Sequence, residues 1–287
     1  MTTPAWTVRT LLGWSTPWLE RKGVESPRLD SELMLAKALK LRRLDLFLDP
    51  HRPLDAAELA AFKGLLTRRA AREPVAHLLE VREFWGIEFH ASPAALIPRP
   101  ETELLLEAVL ARCPDREASL EIFEPCVGSG AVLCALLHEY PQARGVGIDL
   151  SPMALELARR NAVKTGCEAR VSLLEGDLDA PLPSSHRFEV IVVNPPYIAS
   201  GELSTLQPEV RDWEPRLALD GGDDGLQVVV RLPEMVRQRL APGGVAVIEV
   251  GHDQGAAAVE RFRLAGFDRV ELLPDYHRIP RAVVVNG

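Results

Sequence analysis

Four consecutive residues, Asn194-Pro195-Pro196-Tyr197, follow an almost wholly apolar run from Phe188 to Val193. The run reads as a buried strand. The two prolines end it, because each fixes φ and removes an N–H donor, leaving the local carbonyls to face a ligand. An Asn side-chain oxygen and a backbone carbonyl can each accept one N–H of an NH₂ group. That pair suits an amide or aromatic amine, whose nitrogen lone pair is delocalised and must be turned toward an electrophile before it reacts. Holding such a nitrogen against the methyl group of a sulfonium needs orientation and electrostatic stabilisation, but no covalent intermediate. No strong base is needed either, since the proton becomes acidic only after transfer. Pro196 and Tyr197 complete the acceptor site, and Tyr197 can stack on the planar group and shield it from water. The plainer alternative is a proline turn after a strand.

A methyl donor needs its own site, and three earlier strand ends offer one. In open α/β sheets ligands bind at the carboxyl ends of the strands. The first such end is Glu124-Pro125-Cys126-Val127-Gly128-Ser129-Gly130, an acidic residue and a small-residue loop entering a helix. Glycines allow close backbone approach, and a helix start supplies unpaired N–H groups. The loop lacks the Gly-Lys-Ser/Thr ending of a P-loop and the G-x-G-x-x-G spacing of a dinucleotide fold. The second strand ends at Asp149, whose carboxylate can accept both hydroxyls of a ribose, or can help cap the helix that begins after Ser151-Pro152. The third ends in Gly176-Asp177-Leu178, where Asp177 can receive an adenine amino group and Leu178 can flank the base. An ordinary strand-end turn is the alternative there.

The elements that must position these residues follow from periodicity. The first 75 or so residues carry apolar residues at helical spacing, punctuated by Pro27, Pro50 and Pro53, and read as a small helical bundle. After Arg72-Glu73-Pro74, the segment from Glu83 to Phe89 reads as a strand, Ser92-Pro93 as a turn and Ala95 to Ile97 as a return strand. Pro98 to Glu103 opens a helix through about Arg112. Strands are predicted near 119–124, 144–149, 170–175, 188–193, 244–250, 268–273 and 281–285, and helices near 130–139, 151–165, 224–240 and 254–265. This alternation predicts an α/β fold with a mainly parallel sheet covered on both faces. The link before the final strand is too short for a parallel crossover, so that strand is expected to be antiparallel. The expected domains are a helical one over 1–80, a β-hairpin connector over 81–98 and a catalytic domain over 99–287.

Composition narrows the class. The 287 residues are 47% hydrophobic and 26% charged, as in globular chains, and the formal net charge is −8. An acidic balance argues against a stable grip on nucleic acid. Local basic clusters at 40–43 and 63–72 read as solvated helix faces. The four cysteines form no C-x-x-C pair and lie near no His at ligand spacing, so no metal site is expected and reduced thiols in a cytoplasmic protein are the simplest reading. No basic segment followed by an apolar run opens the chain, and no stretch approaches the roughly 18 to 20 apolar residues of a membrane span.

At this point the sequence resembles a family, the peptide-chain release factor glutamine methyltransferases of the PrmC/HemK type, over essentially its full length. The matching segments are Pro74-Val75-Ala76-His77-Leu78, Arg82-Glu83-Phe84-Trp85-Gly86, 96–103 (Leu-Ile-Pro-Arg-Pro-Glu-Thr-Glu), Asn194 to Ile198, and 214–226 beginning Glu-Pro-Arg-Leu-Ala-Leu-Asp-Gly-Gly. The tetrapeptide alone is shared with DNA adenine and other amino methyltransferases; the other segments are more specific. The resemblance implies a class I (Rossmann-like) methyltransferase sheet of seven strands behind a small helical domain. It implies S-adenosyl-L-methionine as cofactor, held by loop 126–130 and Asp149. It also implies methylation of the glutamine side-chain amide in the Gly-Gly-Gln tip of class 1 release factors, with Asn194 and the Pro195 carbonyl holding that amide. The helical domain would help grip the release factor, the segment 198–222 would line the substrate channel, and the protein is expected to act as a monomer. Two positions depart from the family pattern: Cys126 stands for the first glycine of the cofactor loop, with Pro125 before it, and Leu178 stands where an aromatic residue is common. A DNA or RNA adenine methyltransferase, and a cofactor-binding scaffold without activity, are the competing expectations.

Overall fold

The computed structural model describes residues 6–287. In chain order its first elements are helices α1 (Val8–Glu20), α2 (Pro27–Leu39), α3 (Asp45–Leu48), α4 (Ala56–Ala70) and α5 (Val75–Leu79), then strands β1 (Val81–Phe84) and β2 (Ile87–His90). There follow α6 (Glu103–Arg112), β3 (Glu121–Pro125), α7 (Ala131–Glu139), β4 (Arg144–Asp149), α8 (Pro152–Lys164), β5 (Val171–Glu175) and β6 (Phe188–Val193). The last are α9 (Pro208–Arg211), α10 (Leu232–Arg239), β7 (Leu240–Glu249), α11 (Gly255–Leu264), β8 (Val270–Pro274) and β9 (Pro280–Asn286). Among the described residues no helix is long and apolar enough to cross a membrane. Two compact units result. The first comprises 1–80 together with Gln207–Trp213, and the second Val81–Leu206 together with Glu214–Gly287.

In the first unit, capping boxes set two helix starts: Thr7 with Thr10 opens α1, and Asp55 with Glu58 opens α4. Val8, Leu11 and Leu19 of α1, Met34 and Leu35 of α2, and Phe62 and Leu66 of α4 recur at helical spacing and form the core. The segment 207–213 lies in this unit although the sequence reading assigned it to the catalytic domain. It is held by charge: Glu209 accepts from Arg69 Nη2 at 2.8 Å and from Arg72 Nε at 2.6 Å, while Arg69 Nε reaches the buried Asp30 at 2.7 Å. The sequence gives no sign of this link because the partners lie about 140 residues apart, at no helical or strand period.

The second unit is built on a seven-stranded sheet in the order β5-β4-β3-β6-β7-β9-β8. The strands β3 to β7 pair in parallel, and β9 runs antiparallel to both β7 and β8, as the short final link requires. Side chains alternate between two cores. Ile122, Val190 and Val284 enter one, and Phe123, Ile191 and Val283 enter the other. Both faces are therefore buried, which explains why the strands read as continuous apolar runs.

Two predicted elements are corrected. The hairpin is formed by β1 and β2, with Phe84 opposite Ile87 and only Trp85-Gly86 between them; residues 95–97 form no strand. Both turn residues have positive φ, 54° and 67°, as a type I′ turn requires. Trp before Gly is not the Asn or Asp that usually announces such a turn, so the alternating run looked like one strand. The helix expected over 224–240 begins at Leu232, with Pro233 in its first turn, after a 3₁₀ turn at Val229–Arg231. Residues 221–228 instead fold as turns beside the Asn-Pro-Pro-Tyr segment.

Candidate active site

The carboxyl ends of β3, β4, β5 and β6 open on one cavity of about 360 Å³, within the range of small-molecule sites. Most of the residues the sequence reading placed at these strand ends line it. Glu124, Cys126, Val127, Gly128 and Ser129 come from β3 and its loop, Asp149 from β4, Asp177 and Leu178 from β5, and Asn194 and Pro196 from β6. Gly130, Pro195 and Tyr197 do not line it. Gly130 sits at the start of α7 with φ 74°, and Pro195 is buried.

The loop after β3 is fixed by the neighbouring strand. Val127 N donates to Ile148 O at 2.9 Å and Gly128 N to Asp149 Oδ2 at 2.9 Å. Gly147 has to be a glycine here, since a Cβ on it would lie 2.8 Å from Val127 Cγ2. Cys126 adopts φ 59°, the left-handed conformation that costs a non-glycine residue energy. Burial, with the charges of Asp149 and Glu124, pushes its thiol up to about 12. Asp149 does not cap α8, because Ser151 does so by accepting from Ala154 N at 3.2 Å. Its carboxylate instead accepts Gly128 N–H on one oxygen and Ser151 N–H, at 2.9 Å, on the other. Each oxygen keeps a further acceptor position for a ligand hydroxyl. Burial raises the pKa of Asp149 and these amide donors oppose the rise.

Glu124 is 3% exposed, and its Oε2 accepts Leu133 N–H at 2.9 Å in the first turn of α7. Burial holds its carboxyl well above the usual range. Asp177 forms a two-pronged pair with Arg231, at 2.9 and 3.1 Å, at the exposed rim.

At the end of β6, Asn194 Nδ2 donates to Thr102 Oγ1 at 3.3 Å. Tyr197 turns its hydroxyl to Glu249 Oε1, 3.1 Å away, at the end of β7. The chain beyond is stapled in place. Ile198 N donates to Leu219 O at 3.0 Å, Gly221 N to Ile198 O at 2.8 Å, and Gln254 Nε2 to Tyr197 O at 2.8 Å. Gly225, with φ 72°, packs so closely that a Cβ would sit 2.4 Å from Tyr197 O. Glu214 accepts Ile97 N–H at 3.2 Å and pairs with Arg99, tying the two specific sequence segments together. The reading of single residues missed Thr102, Glu249 and Arg231. An acidic residue at the end of a further parallel strand was the available signal for Glu249.

A mostly parallel sheet with a ligand-sized cavity at its carboxyl ends and the Asn-Pro-Pro-Tyr turn after β6 defines a methyltransferase of the Rossmann-like class. The comparisons agree: residues 122–212 match the family model described as methyltransferase domain, and 10–79 match the PrmC N-terminal domain. A solved 16S rRNA N2 methyltransferase of T. thermophilus, in complex with AdoMet and guanosine, superposes with TM-score 0.51 at 18% identity, covering 72% of this chain and 49% of that one. That likeness speaks for the fold alone. A release factor glutamine methyltransferase of Geobacter sulfurreducens is 44% identical over 97% of this chain and 96% of its own length. One of Caulobacter vibrioides is 41% identical over 93% and 91%. The chain belongs to the release factor glutamine methyltransferase family.

The methyl donor of this class, S-adenosylmethionine, suits the residues present. Asp149 retains acceptor positions that two ribose hydroxyls would fill, and Leu178 offers an apolar wall for a base.

Proposed function

We propose that this chain methylates the side-chain amide nitrogen, N5, of the glutamine in the Gly-Gly-Gln motif of class 1 peptide-chain release factors. The observation that carries it is that Asn194 and Asp149 face one cavity, so an acceptor NH₂ and a nucleoside donor meet there. Relatives named release factor glutamine methyltransferase span nearly the whole chain.

When bound, S-adenosylmethionine supplies an electrophilic methyl group on a sulfonium. Asp149 would hold the ribose, loop 126–130 the amino-acid end, and Asp177 with Leu178 the adenine. Asn194 Oδ1 and the Pro195 carbonyl each accept one N–H of the glutamine amide, which turns the nitrogen lone pair toward the methyl carbon. Transfer would form the N–C bond at the expense of the donor's S–C bond, and the N–H proton, acidic once the nitrogen is alkylated, would leave to solvent. Pro215, Leu217 and Ala218 line the approach, in keeping with a channel formed by 198–222. The helical unit grips the body of the release factor.

Labelled S-adenosylmethionine, incubated with the protein and a release factor, tests this. Label should enter the intact factor and not one whose tip glutamine is replaced by alanine. Equal labelling of both factors, or of neither, contradicts it.

A further inference from the structure

Arg231 lies in the 3₁₀ turn that leads into α10, and it lines the same cavity as Asp177 at the end of β5. Its Nη1 donates to Asp177 Oδ1 at 3.1 Å and its Nη2 to Oδ2 at 2.9 Å. The guanidinium thus meets the carboxylate end-on, through two parallel bonds that hold both groups near one plane. Each terminal nitrogen spends one hydrogen on Asp177 and keeps a second, and each carboxylate oxygen keeps a lone pair. Along the edge of the pair, an acceptor on Asp177 and a donor on Arg231 therefore stand side by side. About half of each side chain is exposed, 48% for Arg231 and 47% for Asp177. An ion pair in that setting adds little to stability, so its free edge is open to a ligand at small cost to the fold.

We propose that Arg231 is a cofactor-binding residue: held in plane by Asp177, it donates to a ring nitrogen of the S-adenosylmethionine adenine, so that the pair selects this base by its edge. This rests on the placement of the adenine at the end of β5 given above. A carboxylate only accepts hydrogen bonds. Asp177 alone can take the adenine amino group, but it offers nothing to the ring nitrogen beside that group, N1 or N7. An Asn or Gln side chain reads an adenine edge because its amide sets an acceptor and a donor side by side. The Asp177–Arg231 pair presents the same edge, built from two side chains on separate elements.

The role needs the shape of the guanidinium as well as its charge. A lysine at 231 would keep the charge, but its ammonium has no planar fork with which to bridge both oxygens of Asp177 and hold a further donor in the plane of the base. A methionine would keep much of the length of the side chain and lose every donor.

The test is calorimetry of the full-length protein and its R231M, R231K and D177A variants with S-adenosylhomocysteine, which carries the same adenosine and transfers no methyl group, and with its 1-deaza and 7-deaza analogues. One of the two analogues should bind the wild type about tenfold more weakly than the parent, the loss expected for one hydrogen bond from a charged donor. R231M should bind the parent about tenfold more weakly and no longer distinguish that analogue from it. R231K should recover less than about threefold of the loss. The urea midpoint of R231M should stay near that of the wild type, which a purely structural role would not allow. Equal binding of all three ligands by the wild type overturns the proposal, as does an analogue penalty that persists in R231M or an R231K equal to wild type. Unchanged affinity in D177A would sink the placement of the adenine at β5, on which the proposal rests, and a wild-type protein that binds no S-adenosylhomocysteine would sink the cofactor site itself.

Discussion

At the scale of single residues, the site depends on polarity as much as on presence. Asn194 offers one acceptor and one donor, and its Nδ2 is taken by Thr102. Asn194→Ala should therefore lower kcat by about 100-fold, the effect of removing one preorganised polar group, while cofactor affinity changes by less than about threefold. A parallel loss of cofactor binding in calorimetry would show that the residue acts on the donor side instead. The strand-end positions of the tetrapeptide and Asp149 were legible because an apolar run precedes each. The contacts of Thr102 with Asn194 and of Glu249 with Tyr197 were not, because they arise only where distant segments meet. Cys126 lies between these cases: the need for positive φ was foreseeable, and the structure adopts it at 59°. Its thiol, pushed up to about 12, stays protonated at neutral pH and so does not compete for the methyl group.

At the scale of elements, the parallel strands and their helices followed from apolar periodicity, whereas turns set by backbone geometry did not. The Trp85-Gly86 turn folded one expected strand into a hairpin, and 224–228 became a loop where the start of a helix was expected. That loop matters because Gly225 lies against the Tyr197 carbonyl. Gly225→Ala combines an unfavourable left-handed φ with a 2.4 Å clash. It should destabilise the protein by about 2 kcal/mol and reduce methyl transfer more than cofactor binding. Urea unfolding with a midpoint equal to wild type would refute the packing described for this loop.

At the scale of the whole molecule, the sheet order β5-β4-β3-β6-β7-β9-β8 puts the carboxyl ends of β3 and β6, which precede the loop at Cys126 and the turn at Asn194, next to each other. One excursion departs from simple domain order: 207–213 leaves the catalytic unit and joins the helical one through Glu209. Arg69 is the centre of that link, with only 6% of its side chain exposed, between Asp30 and Glu209. Arg69→Met leaves Asp30 without its buried partner and should cost about 3–5 kcal/mol, read as a fall in thermal stability. A loss below about 1 kcal/mol would contradict the account of Arg69 as the centre of that link. The central claim is that the acceptor is a glutamine amide. It is tested most directly by peptide mass spectrometry of a release factor after incubation with the protein and S-adenosylmethionine. The account predicts a single methyl group on the glutamine of the Gly-Gly-Gln peptide; an unmodified peptide, or a methyl group on any other residue, would contradict it.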